Sequence, residues 1–317
     1  MPRPLMCAKE LLELDLSGKT YFATGGNSGI GLVTVEQLAK QGARVLAGCR
    51  DPKRSEPAFQ AIRAKGVPGS IEVFELDLAD LASVRRCAQR VLEAAPRLDG
   101  LVNNAGVMNT PQGRTKDGFE TQFGTNHLGH FLFTESLVPR LLESAPSRVV
   151  NLSSCYHDKA MGRFGGIDLD DLNFERRKYD GWAAYAQSKL ANLLYAQDLA
   201  RRLTDRGVLA VSVHPGWVRT RLLAPTMPLW IQDRVLKPIG RWIGLLEPWE
   251  GAQATLHALL SPEAAKHSGG YFSQVGWYRD RCLNQGGWPL RSPNPQANDP
   301  AIPPRLTELS RKMVGLG

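Results

Sequence analysis

The segment Thr24-Gly25-Gly26-Asn27-Ser28-Gly29-Ile30-Gly31 constrains this chain more than any other. The apolar run Thr20-Tyr21-Phe22-Ala23-Thr24 leads into it, and a helical period over residues 29–41 follows, stopped at Gly42. A strand, a glycine-rich turn and a helix in that order open a βαβ unit. Glycines let the chain turn tightly, let the backbone approach a ligand and let the helix pack on the strand. The helix start offers unpaired N–H groups and the positive end of its dipole, which suits a pyrophosphate. The turn therefore predicts a dinucleotide-binding unit. Its spacing, T-G-x3-G-x-G, differs from the common G-x-G-x-x-G fingerprint.

The alternation continues along the chain. Further strands are predicted over residues 44–48, 70–76, 100–103, 147–152 and 208–213, with helices over 81–94, 118–144 and 183–203. This pattern predicts an α/β fold, a single-domain Rossmann-type doubly wound parallel sheet with helices on both faces, over residues 14–285. The alternation weakens after Gly216. Residues 286–304 are Pro-rich and are expected to run extended on the surface, and a short helix over 305–314 ends a C-terminal extension of residues 286–317. A chain of 317 residues can bury its core without disulfides or metals.

Several function classes drop out early. The net charge of +8 is spread in short basic runs among acids, with no block of five like charges, so a nucleic-acid partner is not expected. His127 and His130 lack a third ligand, and no metal is expected. The five cysteines show no CxxC pair and read as reduced thiols. Residues 1–10 lack the apolar core of a secretory signal, so a cytoplasmic location is expected.

The second strand ends at Cys49, where NAD-binding proteins usually place an acid for the ribose hydroxyls. Arg50 follows, and its planar fork suits a 2′-phosphate. NADP is therefore expected over NAD, although Asp51 stands directly next to Arg50.

Tyr185-Ala186-Gln187-Ser188-Lys189 puts a phenol and an ammonium on one helix face. A free tyrosine ionises near pH 10, and a nearby cation lowers that value and makes the phenol a usable general acid/base. The pair does not stand alone. Asn103-Asn104-Ala105-Gly106, Asn126, Ser153-Ser154 and His214-Pro215-Gly216-Trp217-Val218-Arg219-Thr220 fall at predicted strand ends or in the next helix. Carboxyl ends of strands form the ligand crevice of a doubly wound sheet.

With these residues the chain resembles the short-chain dehydrogenases/reductases, in the branch of retinol dehydrogenases and WW-domain oxidoreductase-like proteins. The resemblance is strong over residues 14–220 and looser through Ser268-Gly269-Gly270-Tyr271-Phe272. It implies an NADP(H)-dependent oxidoreductase that interconverts a lipophilic aldehyde or ketone and its alcohol. Tyr185 would carry the proton, and Lys189 would lower its pKa and bind the nicotinamide ribose. Ser154, rather than Ser153, would hold the substrate oxygen. Asn126 would hold a water linking Lys189 to solvent. Gly25, Asn27, Ser28, Gly29, Ile30 and Gly31 would cradle the pyrophosphate, and Arg50 the 2′-phosphate. Asp77 and Leu78 would meet the adenine, with Asn103, Ala105 and Gly106 along the adenosine. Pro215, Gly216, Val218 and Thr220 would border the nicotinamide.

Thirty residues separate Ser154 from Tyr185, a long insert like that of retinol-dehydrogenase-like members, expected to fold over the site. Residues 222–246, rich in Trp, Leu and Ile with Arg234, Lys237 and Arg241, would form an apolar substrate lid. The same segment also fits a peripheral membrane contact. Relatives pair as homodimers or tetramers, a surface the C-terminal extension could cover. The alternative is a non-catalytic NADP-binding regulatory or scaffold protein of the same fold. The intact Asn126, Ser154, Tyr185 and Lys189 set argues against it.

Overall fold

The structure, a computed structural model, describes residues 3–160, 163–219, 244–276 and 281–317. Seven parallel strands form its sheet: β1 (Thr20–Thr24), β2 (Arg44–Cys49), β3 (Ser70–Glu75), β4 (Gly100–Asn103), β5 (Ser147–Leu152), β6 (Val208–His214) and β7 (Tyr271–Ser273), in spatial order 7-6-5-4-1-2-3. The order reverses between β1 and β4, whose registers pair Tyr21 with Gly100 and Ala23 with Val102. A doubly wound sheet binds its ligand at such a reversal. The expected fold is therefore the observed one.

Successive strand side chains point to opposite faces, and both faces are covered. Phe22, Leu46 and Val149 pack toward α3 (Leu81–Ala94), α4 (Gly129–Glu143) and α5 (Gly181–Leu203). Ala23, Val45 and Val150 face the opposite layer, made of α1 (Gly29–Lys40), α2 (Pro52–Arg63) and α6 (Pro248–Leu260). Phe22 and Phe133 meet at 4.8 Å between ring centroids, with neither exposed. Burial of each such side chain stabilises the fold by about 1.5–3 kcal/mol.

Aspartates cap the starts of α2, α3 and α5. Asp51 accepts from the Arg54 N–H at 3.0 Å, Asp80 from Ala82 at 2.9 Å, and Asp180 from Trp182 and Ala183 at 2.9 and 3.0 Å. Each satisfies N–H groups that a helix start leaves unpaired.

Two expected elements differ. The helix expected over 118–144 begins only at Thr121, because Gly118 has φ +87° and Glu120 caps the helix, accepting from Gln122 and Phe123 at 2.9 and 2.6 Å. A π-turn, Gly124–Leu128, then precedes α4. The C-terminal segment lies only partly on the surface. Ser292, Asn294 and Ala297 are buried, and α7 (Ile302–Met313) packs Leu306 into the core against α5. That helix starts earlier than expected because Pro303 and Pro304 sit in its first turn, where the missing N–H groups cost nothing.

Candidate active site

The carboxyl ends of β1, β4 and β5 open onto a cavity of about 380 Å3. Gly25, Asn27, Ser28, Gly29, Ile30, Ala105, Gly106, Tyr185, Lys189 and Pro215 line it, as do Asn104, Val107, Met108 and Thr110. Gly25 has φ +64°, a conformation L side chains rarely adopt. A Cβ on Gly31 would run into the Gly25 carbonyl oxygen, so the first turn of α1 can lie close beneath the glycine turn only with glycine at that position. Ser28 stands at the N-cap of α1 but makes no side-chain cap bond, so it leaves N–H groups of the helix start to a ligand. This combination of an uncapped helix start and a glycine floor fits a pyrophosphate.

Thr24, the first residue of the T-G-x3-G-x-G spacing, ties the glycine turn to β4. Its Oγ1 accepts from the N–H groups of Asn104 and Ala105, both at 2.9 Å. It also meets His130 Nε2 at 2.8 Å. Burial pushes His130 down to about 4, so its ring is neutral at physiological pH. Nδ1 faces the Asn126 carbonyl at 2.9 Å and must carry the proton, so Nε2 accepts from Thr24. One hydroxyl and one imidazole thus lock the glycine turn, β4 and the π-turn together.

The remaining site candidates lie at varied distances from the cavity. Asn103 turns into the protein, donating to Thr134 at 2.8 Å and Asn151 at 2.7 Å. Asn126 grips the loop after β4, accepting from the Val107 N–H at 2.8 Å and donating to its carbonyl at 2.9 Å. A Cβ on Gly106 would come within 3.1 Å of Asn126 Oδ1, so the two are packed against each other. Arg50 is exposed at the end of β2 and forms no ion pair with a described residue. Asp51 beside it spends one carboxylate oxygen on the cap of α2. Asp77 and Leu78 lie in the loop after β3, with Asp77 Oδ1 accepting from Ala79 at 2.9 Å and Leu78 buried. Gly216 has φ +88°, and Val218 pairs with Leu246 beneath the loop. Thr220 and residues 222–243 of the expected lid lie outside the described residues.

Ser154 lies two residues past β5; its Oγ accepts from the Tyr156 N–H at 3.3 Å, and its hydroxyl favours the charged form of the Tyr185 phenol. Ser153, which lines the cavity, donates its Oγ proton to the Lys189 carbonyl at 2.8 Å. Tyr185 and Lys189 are both buried on α5. The expected lowering of the phenol by its cation is not present in the protein alone. Burial pushes Tyr185 well above the ordinary phenol range, and the nearby Ser154 hydroxyl pulls it only part of the way back. Lys189 Nζ stands 5.7 Å from the Tyr185 ring centroid and donates to the Leu152 carbonyl at 3.1 Å. Burial drops Lys189 itself to about 8. Both groups pay for a dry wall, which disfavours either charge.

The insert folds against this wall. Tyr156 stacks on Trp182 at 5.0 Å and meets the Tyr185 ring edge-on at 5.8 Å. Tyr179 donates to the carbonyl of Thr110 at 3.0 Å, fixing the loop that carries Met108. Sequence patterns gave no signal for Tyr156 or Trp182, since aromatic residues in an insert carry no spacing rule.

A family profile described as short chain dehydrogenase matches residues 19–165. Retinol dehydrogenase 13 of Homo sapiens is 41% identical over 303 residues, covering 95% of this chain and 86% of its own. Retinol dehydrogenase 12 of Mus musculus is 43% identical over 274 residues, covering 86% and 83%. Among solved structures, a putative uncharacterized protein from Mycobacterium paratuberculosis superposes with a TM-score of 0.72 at 36% identity, covering 95% of both chains. The Pseudomonas aeruginosa RhlG/NADP active-site complex superposes with a TM-score of 0.64 at 26% identity, covering 82% of this chain and 96% of its own.

Proposed function

Because the chain belongs to the short-chain dehydrogenase/reductase family, in its retinol dehydrogenase-like branch, we propose that it interconverts a lipophilic aldehyde or ketone and the corresponding alcohol, with NADP(H) as its cofactor. The observation that carries this reading is the cavity at the strand ends, which Tyr185 and Lys189 share with the glycine turn. A reduced nicotinamide bound there would supply the hydride.

The chain's own residues would handle the oxygen. The hydroxyls of Ser154 and Tyr185 converge and would polarise a substrate carbonyl between them. With its pKa raised, Tyr185 holds its proton at neutral pH and suits the acid role in carbonyl reduction. Lys189, mostly charged below about 8, would stabilise the phenolate left behind. Asn126 would hold the water that links Lys189 to solvent. The glycine turn and the uncapped start of α1 would hold the pyrophosphate, and Arg50 the 2′-phosphate. Asp51, occupied at the helix cap, supports NADP over NAD.

The stacked Tyr156–Trp182 pair, with Met108 and Leu152 on the cavity wall, supports an apolar substrate. The names of the relatives make retinaldehyde the first substrate to try. Residues 222–246 remain the candidate for a lid and for a membrane contact. Among the described residues no helix is long and apolar enough to cross a membrane.

The test is turnover of all-trans-retinaldehyde, long-chain aldehydes, cyclic ketones and acetaldehyde with NADPH and with NADH, products being measured by chromatography. Faster reduction of the apolar carbonyls, with NADPH preferred, is expected. Bound NADPH without turnover of any carbonyl would overturn the enzymatic reading in favour of a cofactor-binding regulator.

A further inference from the structure

Resting on the role given to Ser154 above, we propose that His157 and the C-terminal residues Ser292 and Asn294 are positioning residues that aim Ser154 at Tyr185. The tail that ends the chain would thereby complete the active site.

Ser154 opens the short turn Cys155–His157. Its carbonyl oxygen accepts twice from His157, from the backbone N–H at 3.0 Å and from ring Nδ1 at 2.5 Å. The His157 ring is fully buried and meets Tyr271 edge-on at 5.0 Å. A neutral imidazole carries one N–H. Nδ1 faces a carbonyl, which can only accept, so the proton sits there and Nε2 is the acceptor. Burial, which holds His157 down to about 4, keeps the ring in that neutral form.

Ser292 stands at Nε2, with Oγ 2.7 Å away, and so donates its hydroxyl proton to the ring. The same Oγ accepts from the Asn294 N–H at 3.2 Å. The donors therefore run in one direction, from Asn294 through Ser292 and His157 to the backbone of Ser154. Asn294, itself fully buried, adds a second hold. Its Nδ2 donates to the carbonyls of His157 at 2.5 Å and Gly165 at 2.7 Å. Gly165 presses on the same turn, since a Cβ there would lie 2.6 Å from the Tyr156 carbonyl.

The chain is thus closed behind Ser154 by Ser292, which lies 135 positions from its partner His157 in sequence. Ser154 sits at φ −158° and ψ 154°; within the turn its Oγ accepts from the Tyr156 N–H at 3.3 Å, and the His157 ring adds a hold from behind. A rotation there would swing its hydroxyl off Tyr185, and misplacement of a reacting group by 1 Å costs about a hundredfold in rate.

The test uses the full chain with NADPH and all-trans-retinaldehyde. Variants His157→Gln, His157→Asn and Ser292→Ala are made alone, and His157→Gln also in a Ser154→Ala background, with folding checked by Tm. His157→Gln and Ser292→Ala are expected to lower kcat by about tenfold to a hundredfold, with the Kd of NADPH changed by less than about twofold. His157→Asn keeps an N–H donor where Nδ1 stands, so it should recover most of the loss. Added to Ser154→Ala, His157→Gln should cost less than about twofold more, because residues acting as a unit are not additive. Ser292→Ala is the mild variant that keeps the test open should His157→Gln not fold. Wild-type kcat in the folded variants, or an equal loss with and without Ser154, would overturn the proposal. A wild-type rate in Ser154→Ala would instead remove the role given to Ser154. No turnover by the unaltered chain would remove the reductase reading, and this proposal with it.

Discussion

Lys189 should make the empty protein less stable than it could be. The residue is 4% exposed, and burial lowers its amine from the ordinary 10.5 to about 8. At about 1.4 kcal/mol per pH unit, that difference is about 3 kcal/mol of penalty for keeping the charge at neutral pH. Lys189→Met removes the charge and keeps the apolar stem. It loses one hydrogen bond to the Leu152 carbonyl, of about 1 kcal/mol. That carbonyl stays satisfied, because Asn192 also donates to it at 3.0 Å. The net expectation is about 2 kcal/mol of added stability below pH 8. For a chain of 317 residues, at about 2.1 cal/mol/K of unfolding entropy per residue, this raises Tm by about 3 °C. The unfolded chain binds more protons than the native one between the two pKa values, so wild-type stability rises with pH across that window. The advantage of the variant should therefore shrink between about pH 8 and 10.5. Thermal unfolding of both proteins without cofactor, at pH 7 and pH 10, measures this. A variant that melts lower at pH 7, or a difference that does not change with pH, would refute the reasoning. The same variant should be catalytically impaired, a trade of stability for function.

Three further outcomes are expected. Arg50→Asp should raise the Kd of NADPH at least about tenfold, since a hydrogen bond to a charged group contributes about 1.5–3 kcal/mol; titration with NADH should show a change of less than about threefold. Thr24→Val takes the acceptor from the Ala105 N–H, while the Asn104 N–H keeps the Val102 carbonyl at 3.0 Å, and should destabilise the protein by about 1–3 kcal/mol in urea unfolding. It should also weaken cofactor binding measured by calorimetry, because the glycine turn loses its tie to β4. Gly31→Ala places a methyl against the Gly25 carbonyl and should remove cofactor binding even if the protein folds, as calorimetry would show.

Much of this fold was legible because buried parallel strands are continuous apolar runs, and Val45, Val149 and Val211 sit in such runs. The crevice was legible because its polar residues fall at strand ends. What escaped had a physical cause in each case. Glu120 is an uncommon helix cap, so residues 118–120 read as helix. Pro303 and Pro304 read as breakers although the first turn of a helix tolerates them. Ser292 and Asn294 read as surface because their partners lie more than a hundred residues away. Spacing put Tyr185 and Lys189 on one face of α5, but it carried nothing about the dryness of that face. Burial reverses the sign expected for the phenol. Thr24 and His130 gain their meaning only when β1, β4 and the π-turn meet.

The most direct measurement is the turnover of Tyr185→Phe with NADPH and the best carbonyl substrate, alongside its Kd for NADPH. General acid catalysis contributes about 10²–10⁴-fold, so kcat should fall by that much while the Kd stays within about threefold of the unaltered chain. A Tyr185→Phe protein that reduces the carbonyl at the unaltered rate would contradict the assignment of the proton to Tyr185.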